Sequence, residues 1–182
     1  MSTTTLSSRA IDATTWDVYQ SPLGPLTISA GPGGVSWISF PGRGRRSDGA
    51  KRDAEALAPV VAQLEEYFAA ERRTFDVELD LVGTDLQLAV WAELLEIPYG
   101  TTISYSELAR RAGRPDVVRA VGACVGQTPV PIVVPCHRVI GKDGSLTGYG
   151  GGLHCKQALL ELEHRTAGAP PAAWAFRQLT LV

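Results

Sequence analysis

Groups able to do nucleophilic and acid–base chemistry meet in one short stretch, Pro129-Val130-Pro131-Ile132-Val133-Val134-Pro135-Cys136-His137-Arg138-Val139. Pro129, Pro131 and Pro135 exclude a helix, and Ile132-Val133-Val134 reads as a short buried extended run. The effect is to hold Cys136 on a stiff backbone beside His137. A free thiol titrates near ~8.5 and a nearby base or positive charge lowers that value. An unperturbed cysteine is mostly protonated at neutral pH, so a neighbouring base matters. Farther along, Glu163 follows Leu159 and Leu160 at four and three residues, and so shares a helix face with apolar side chains. A carboxylate turned inward needs a partner. A Cys136–His137–Glu163 relay supplies one: Glu163 orients His137, and His137 draws the thiol proton directly or through water. Taken singly, plainer readings win. A lone cysteine is usually a small buried hydrophobe, and Glu163 alone is an exposed residue near a helix end.

The chain has 182 residues, enough for one ordinary domain or two small ones. Apolar residues make up 45% and charged residues 20%, as in soluble globular proteins. No apolar run is long enough to cross a bilayer, and Met1 to Ala13 is Ser/Thr-rich without the apolar core of a secretory signal. The expected compartment is the cytoplasm. Cys124, Cys136 and Cys155 are too few, and odd in number, for a disulfide framework. His137, His154 and His164 have no ligand spacing with them, so no metal is expected. A net charge of −2 argues against a surface coated for nucleic acid. The segment from Thr101 to Lys142 differs: Arg110, Arg111, Arg114, Arg119, Arg138 and Lys142 outnumber Glu107 and Asp116. A second basic group, Arg43, Arg45, Arg46, Lys51 and Arg52, reads as a solvated surface loop.

The elements that must position these groups can be read coarsely. Residues 1–13 are expected to be disordered. Residues 14–82 form an α/β supporting domain. Trp16–Tyr19, Leu26–Ser29 and Val35–Phe40 read as strands, the first two joined by the turn Ser21-Pro22-Leu23-Gly24-Pro25. Phe75, Val77, Leu79 and Leu81 alternate with acids as in a half-buried strand. Leu57, Val60, Val61, Leu64, Tyr67 and Phe68 repeat at helical spacing, with Pro59 expected near the first turn. From Gly83 to residue 166 the periodicity is helical. Thr84-x-x-Gln87 and Ser104-x-x-Glu107 are capping boxes. The first opens a helix with Leu88, Trp91 and Leu95 on one face, ended by Pro98. The second opens a helix ended by Gly113, and Pro115 is placed to start another reaching Gly126. The pair is a helix-turn-helix pattern. Val117, Ala120, Val121 and Cys124 are expected to form the apolar face of its second helix. Arg119, Gly122, Ala123 and Gly126 share another face. A face with two glycines costs helix propensity, about 1 kcal/mol each against Ala. It must therefore approach something closely, either a DNA groove or a neighbouring helix. Residues 167–182 are a tail whose Trp174, Phe176 and Leu179 can dock on the surface. The fold class is α+β.

The stretch Pro135-Cys136-His137-Arg138-Val139 resembles the active-site motif of the O6-alkylguanine-DNA alkyltransferases. Ile97-Pro98-Tyr99-Gly100-Thr101-Thr102-Ile103-Ser104-Tyr105, Arg119-Ala120-Val121-Gly122, Gly148-Tyr149-Gly150-Gly151-Gly152-Leu153, and Lys156 with Leu159-Leu160 and Glu163 follow in that family's order. The resemblance runs from about Trp16 to Arg165 and is dense from Gly83. It implies a ribonuclease-H-like first half and a winged-helix-like second half. It further implies Cys136 as the alkyl acceptor, His137 and Glu163 as its activating pair, and Tyr105 as a hydrogen-bond donor to guanine that helps rotate the nucleotide. Arg119 would enter the duplex stack. Ala120, Gly122, Ala123 and Thr128 would lie against DNA in the minor groove. Val125, Pro131, Val139, Tyr149, Gly150 and Gly151 would bound the guanine pocket.

The implied activity is single-turnover transfer of an alkyl group from O6-alkylguanine, and from O4-alkylthymine, in double-stranded DNA. The protein would act as a monomer, with no cofactor, no membrane and no obligate protein partner. The base must leave the stack at a cost of a few kcal/mol, and the thioether product has no easily hydrolysed linkage. Departures from the family pattern are Thr128 where an Asn is common, Leu86 where an aromatic is frequent, Gly150 in place of a Ser, and no Cys or His before His137 for the zinc that some members bind. Competing readings are a non-catalytic lesion-binding relative, disfavoured because Cys136 is present, and an unrelated Cys-His-Glu hydrolase, for which no oxyanion hole is identifiable.

Overall fold

The computed structural model describes the backbone of residues 4–7, together with residues 13–42 and 49–168. Arg43, Arg45 and Arg46 of the expected basic loop and the tail from Ala169 onward lie outside the described residues, as does most of the segment 1–12. The chain forms two compact units. The first comprises Met1–Leu88 with Pro129–Val133, and the second Ala89–Thr128 with Val134–Val182.

The first unit is a mixed sheet over one helix. Strands β1 (Thr4–Ser7), β2 (Thr15–Ser21), β3 (Gly24–Gly31), β4 (Gly34–Ser39), β5 (Lys51–Arg52) and β6 (Leu79–Val82) lie in the order β1-β6-β4-β3-β2-β5. The β2–β3 hairpin closes through Ser21, whose Oγ donates to the Gly24 carbonyl at 2.6 Å and accepts from the Leu23 amide at 3.1 Å. Gly34, at φ +112, opens β4 where an added Cβ would collide with the Glu78 backbone.

Three expectations change here. Residues 4–7, expected to be disordered, form β1 in parallel pairing with β6. Thr4-Thr5-Leu6-Ser7 has no alternation to announce a strand, and the unpaired backbone groups of β6 decide the matter. Lys51 and Arg52, read as loop, pair with Thr15 and Trp16 of β2. The alternating run Phe75–Leu81 becomes a strand only at Leu79. Gln63 captures the Asp76 amide at 2.7 Å and its carbonyl at 2.8 Å, which removes those groups from any ladder. Asp80, expected to face water, is 1% exposed: β6 lies inside the sheet between β1 and β4, and Leu79, Asp80 and Leu81 are all buried.

Helix α1 (Ala54–Phe68) buries Leu57, Val60, Leu64 and Tyr67. Asp53 caps it, accepting from the Ala56 amide at 3.0 Å. That cap starts the helix earlier than expected and leaves Pro59 in the second turn, at the loss of one backbone bond. Helix α2 (Asp85–Leu95) opens with the expected reciprocal cap: the Thr84 amide donates to Gln87 Oε1 at 2.8 Å and the Gln87 amide to Thr84 Oγ1 at 3.4 Å. Its buried face is Val90, Trp91 and Leu94, turned from the expected Leu88, Trp91 and Leu95.

The second unit carries β7 (Ile103–Ser104), α3 (Tyr105–Arg111), α4 (Val118–Gly126), β8 (Val139–Ile140) and α5 (Leu153–Ala167). β7 and β8 pair in parallel, Ile103 with Val139 and Ser104 with Ile140. Ser104 caps α3 by accepting from the Glu107 amide at 3.1 Å. The Glu107 carboxylate does not complete the box; it binds Arg110 and Arg111 instead, at 2.8 Å each. α4 begins at Val118, three residues after Pro115, which sits in the turn. The apolar face differs accordingly. Val121, Cys124 and Val125 are buried, whereas Ala120 is exposed and Val117 is 42% exposed at the uncapped start of the helix. Trp91 donates from Nε1 to the Cys124 carbonyl at 2.9 Å, tying α2 to α4. No described helix is long and apolar enough to cross a membrane.

Candidate active site

The run Pro131–Val134 is a turn and not the extended segment expected, with Ile132 at φ +79. A β-branched residue there is strained by about 1–3 kcal/mol. Complete burial of the Ile132 side chain offsets that cost. After Pro135 the chain makes one 3-10 turn, Cys136–Arg138, closed by the Arg138 amide donating to the Pro135 carbonyl at 3.0 Å. All three side chains of that turn are buried, Cys136 to 4% exposure.

Glu163, on the inner face of α5, is fully buried and organises the site. Its Oε1 accepts from His137 Nε2 at 2.8 Å and from an Arg138 terminal nitrogen at 2.9 Å. Its Oε2 accepts from Arg138 Nε at 2.9 Å and from the Gly100 amide at 3.1 Å. Gly100 is required there. Its φ is +74, and an added Cβ would lie 2.5 Å from that of Ala167. Arg138 spends its remaining terminal nitrogen on the Ile97 carbonyl, at 2.6 Å.

Burial alone would raise the Glu163 carboxyl, but the His137 ring and the Arg138 guanidinium outweigh burial and hold it well below the usual carboxylate range. Glu163 is therefore ionised. Burial pushes His137 below its ordinary value against the pull of Glu163. The ring is neutral, with its one N–H on Nε2 toward the carboxylate. Nδ1 then carries a lone pair, and among the described residues it is buried without a hydrogen-bond partner. Burial also pushes the Cys136 thiol up to about 11, opposed by a hydrogen bond with the Thr128 side chain and by the charge of Lys156. The resting sulfur is thus a thiol, with a buried basic nitrogen on the next residue.

Tyr105 heads α3. Its hydroxyl accepts from Thr147 Oγ1 at 3.2 Å, and burial raises its pKa, so it keeps its proton. Lys156 lies below, fully buried, donating to the carbonyls of Val139 at 2.6 Å and Thr147 at 2.9 Å. Its Nζ lies 5.9 Å from the Tyr105 ring centre, and burial lowers its pKa to about 8. Tyr149 stands edge-on to His137, ring centres 6.5 Å apart.

The second unit thus brings together Cys136, His137 and Glu163, with Tyr105, Val139 and Tyr149 around them. Gly150 and Gly151 lie in the loop before α5, and a Cβ added to Gly150 would meet nothing within 4 Å. Val125 is buried on α4, and Thr128 follows that helix. Pro131 belongs to the segment counted with the first unit. On α4 the two readings of the small-residue face divide. Arg119, Ala120, Ala123 and Gly126 are exposed, while Gly122 packs against the Tyr105 ring, where a Cβ would come within 3.7 Å.

Sequence reasoning missed two residues. Arg138 was counted only among the local cations. Lys156 passed without a role, although it shares the α5 face of Leu159, Leu160 and Glu163, the same signal that singled out Glu163. Among the described residues, no group of three or more potential ligands could hold a metal.

Residues 14–81 match the ribonuclease-like domain of 6-O-methylguanine DNA methyltransferase, and residues 85–165 match its DNA binding domain. The chain belongs to this family. It is 51% identical over 156 residues to the methylated-DNA–protein-cysteine methyltransferase of Mycobacterium tuberculosis (strain ATCC 25618 / H37Rv), covering 82% of this chain and 92% of that protein. To the protein of the same name from Methanosarcina acetivorans it is 42% identical over 150 residues, covering 80% and 96% respectively. The fold matches the crystal structure of Mycobacterium tuberculosis OGT in complex with DNA with a TM-score of 0.79 at 48% identity, covering 89% of this chain and 99% of that one. Membership in the family accounts for both compact units.

Proposed function

We propose that this protein repairs DNA by taking the alkyl group of O6-alkylguanine onto Cys136 Sγ, once per molecule. It is a transferase whose acceptor is itself. The observation that carries the reading is the buried His137 ring, next in sequence to Cys136, fixed through Nε2 by an ionised Glu163 and left with Nδ1 as an unpartnered base among the described residues. His137 takes the thiol proton, directly or through water. Sulfur attacks the alkyl carbon, the S–C bond forms, and the C–O6 bond breaks. Guanine leaves with the electron pair. The Tyr105 hydroxyl, held protonated by burial, donates to it as charge develops. Lys156 fixes the Val139 carbonyl at the wall of the base site.

Because the target oxygen is inside the duplex, the nucleotide must be turned out of the stack. The exposed Arg119 fills the gap, and the small exposed residues Ala120 and Ala123 allow close approach to the minor groove. Thr128 lies at the DNA-side end of α4, and Val125, Tyr149, Gly150 and Gly151 complete the guanine pocket. Residues 14–82 serve as the supporting domain and residues 83–166 as the DNA-binding and catalytic domain. The protein works as a cytoplasmic monomer.

The test is intact-mass measurement after incubation with a duplex carrying O6-methylguanine. One methyl mass should appear per protein and map to the Cys136 peptide. Repaired guanine without a modified Cys136, or a methyl on Cys124 or Cys155, would overturn the assignment.

A further inference from the structure

The Tyr105 hydroxyl has one proton, and the repair reading needs it pointed at the departing guanine. A phenol is both donor and acceptor, so a neighbour can claim that proton unless it occupies a lone pair instead. Among the described residues the Tyr105 hydroxyl has one hydrogen-bond partner, Thr147, whose Oγ1 donates to it at 3.2 Å. Thr147 is an exposed residue of the loop between β8 and α5. Its main chain is held from below: the Lys156 ammonium donates to the Thr147 carbonyl at 2.9 Å and to the Val139 carbonyl at 2.6 Å. One buried cation thus pins that loop at Val139 and at Thr147, and it lies 5.9 Å from the Tyr105 ring centre. The contacts form a chain from Lys156 through Thr147 to the phenol.

We propose that Thr147 is a positioning residue for departure of the guanine: by donating to Tyr105 Oη it occupies a lone pair there and leaves the phenol proton directed at the leaving base. The inference deepens the proposed repair reaction and rests on it. No bond breaks at Thr147, and its proton stays on Oγ1. A hydroxyl that accepts a hydrogen bond also donates more strongly, because bonds in a chain polarise one another. The same contact acts on the acidity of the phenol: burial raises its pKa and the Thr147 bond pulls it down. At 3.2 Å the contact is long for two hydroxyls. Catalytic hydrogen bonds are often long before substrate binds and tighten in the complex.

The test compares Thr147→Val, which keeps the shape and removes the hydroxyl, with Thr147→Ser, which keeps the hydroxyl. Three reactions of Cys136 are timed, each read on its own peptide: with a duplex carrying O6-methylguanine, with free O6-benzylguanine, and with iodoacetamide. The first two expel guanine, whereas the third expels iodide, which needs no hydrogen bond to leave. Loss of one neutral hydrogen bond predicts for Thr147→Val a roughly fivefold slower reaction with both guanine substrates, and a rate with iodoacetamide within about twofold of the parent. Thr147→Ser should stay within about twofold in all three. In a Tyr105→Phe background, Thr147→Val should add nothing, because the hydroxyl it serves is gone, and a full further loss there would overturn the proposal. Guanine rates equal to those of the parent overturn it as well. So does a slowing shared with iodoacetamide, which would place the effect on the thiol or the fold. Slowing on the duplex alone would make Thr147 a DNA contact and overturn it too. A parent that labels with iodoacetamide but takes no alkyl group from either guanine substrate is a separate failure: the repair reading falls, and this inference with it.

Discussion

The two units bury polar groups in opposite ways. In the sheet unit the buried polar side chains are mostly neutral hydroxyls, Ser29, Ser36 and Ser39, with Asp80 the exception, and its described ion pairs, Arg52–Asp17 and Arg72–Glu66, each keep one partner exposed. In the other unit Glu163, Arg138, Lys156 and His137 are all buried within one hydrogen-bonded site. Buried charge is costly unless paired and fully hydrogen-bonded. Its concentration in one unit therefore marks where the fold gives up stability for chemistry. The sheet unit, free of that demand, follows ordinary apolar packing.

The largest test of this contrast is Cys136→Ser. The unit should remain folded, because the side chain is small, and methyl transfer should be lost completely, since a hydroxyl is a far poorer nucleophile; intact mass reads both. Glu163→Gln should cost both stability and activity. It leaves the buried Arg138 guanidinium uncompensated, a loss of about 3–5 kcal/mol in denaturant unfolding. The pH dependence has a definite sign. A carboxyl whose folded pKa is depressed contributes stability above its unfolded value near ~4.3, and that contribution is lost as pH falls below it. The parent should therefore lose stability steeply below about pH 4–5, and Glu163→Gln less steeply.

Leu64→Ala breaks the contrast from the other side. Leu64 is fully buried on α1, so about 2–5 kcal/mol of stability should go, while the transfer rate per folded molecule stays unchanged. A matching loss of rate would mean that the sheet unit takes part in the chemistry. Arg119→Ala should slow repair of duplex about tenfold or more and leave reaction with free O6-benzylguanine unchanged, because base flipping is needed only for the duplex. Equal losses on both substrates would remove Arg119 from that role. The smallest effect is expected for Thr128→Asn. An amide keeps a donor for the Val125 carbonyl that the Thr128 hydroxyl serves at 2.8 Å, so activity should hold or rise within about twofold.

Local chemistry explains how much was legible. The Thr84–Gln87 cap, the helix-turn-helix and the inward-facing Glu163 could be read because short-range spacing fixes them. β1 could not be read, because Thr4–Ser7 becomes a strand only through the partner it finds in β6. The same limit hid the left-handed Ile132 and the placement of Gly122 against Tyr105, both consequences of packing between residues distant in sequence.

By itself the sequence singled out Cys136 as the proposed nucleophile, His137 as its proposed base and the helix face that carries Glu163. These depend on residue type and on the 3.6-residue period. Tertiary structure alone decided that Arg138 and the Gly100 amide complete the shell around Glu163, and that Lys156 anchors two carbonyls. Each of those contacts joins segments whose separation along the chain says nothing about distance. Only the requirement that buried polar atoms be satisfied brings them together.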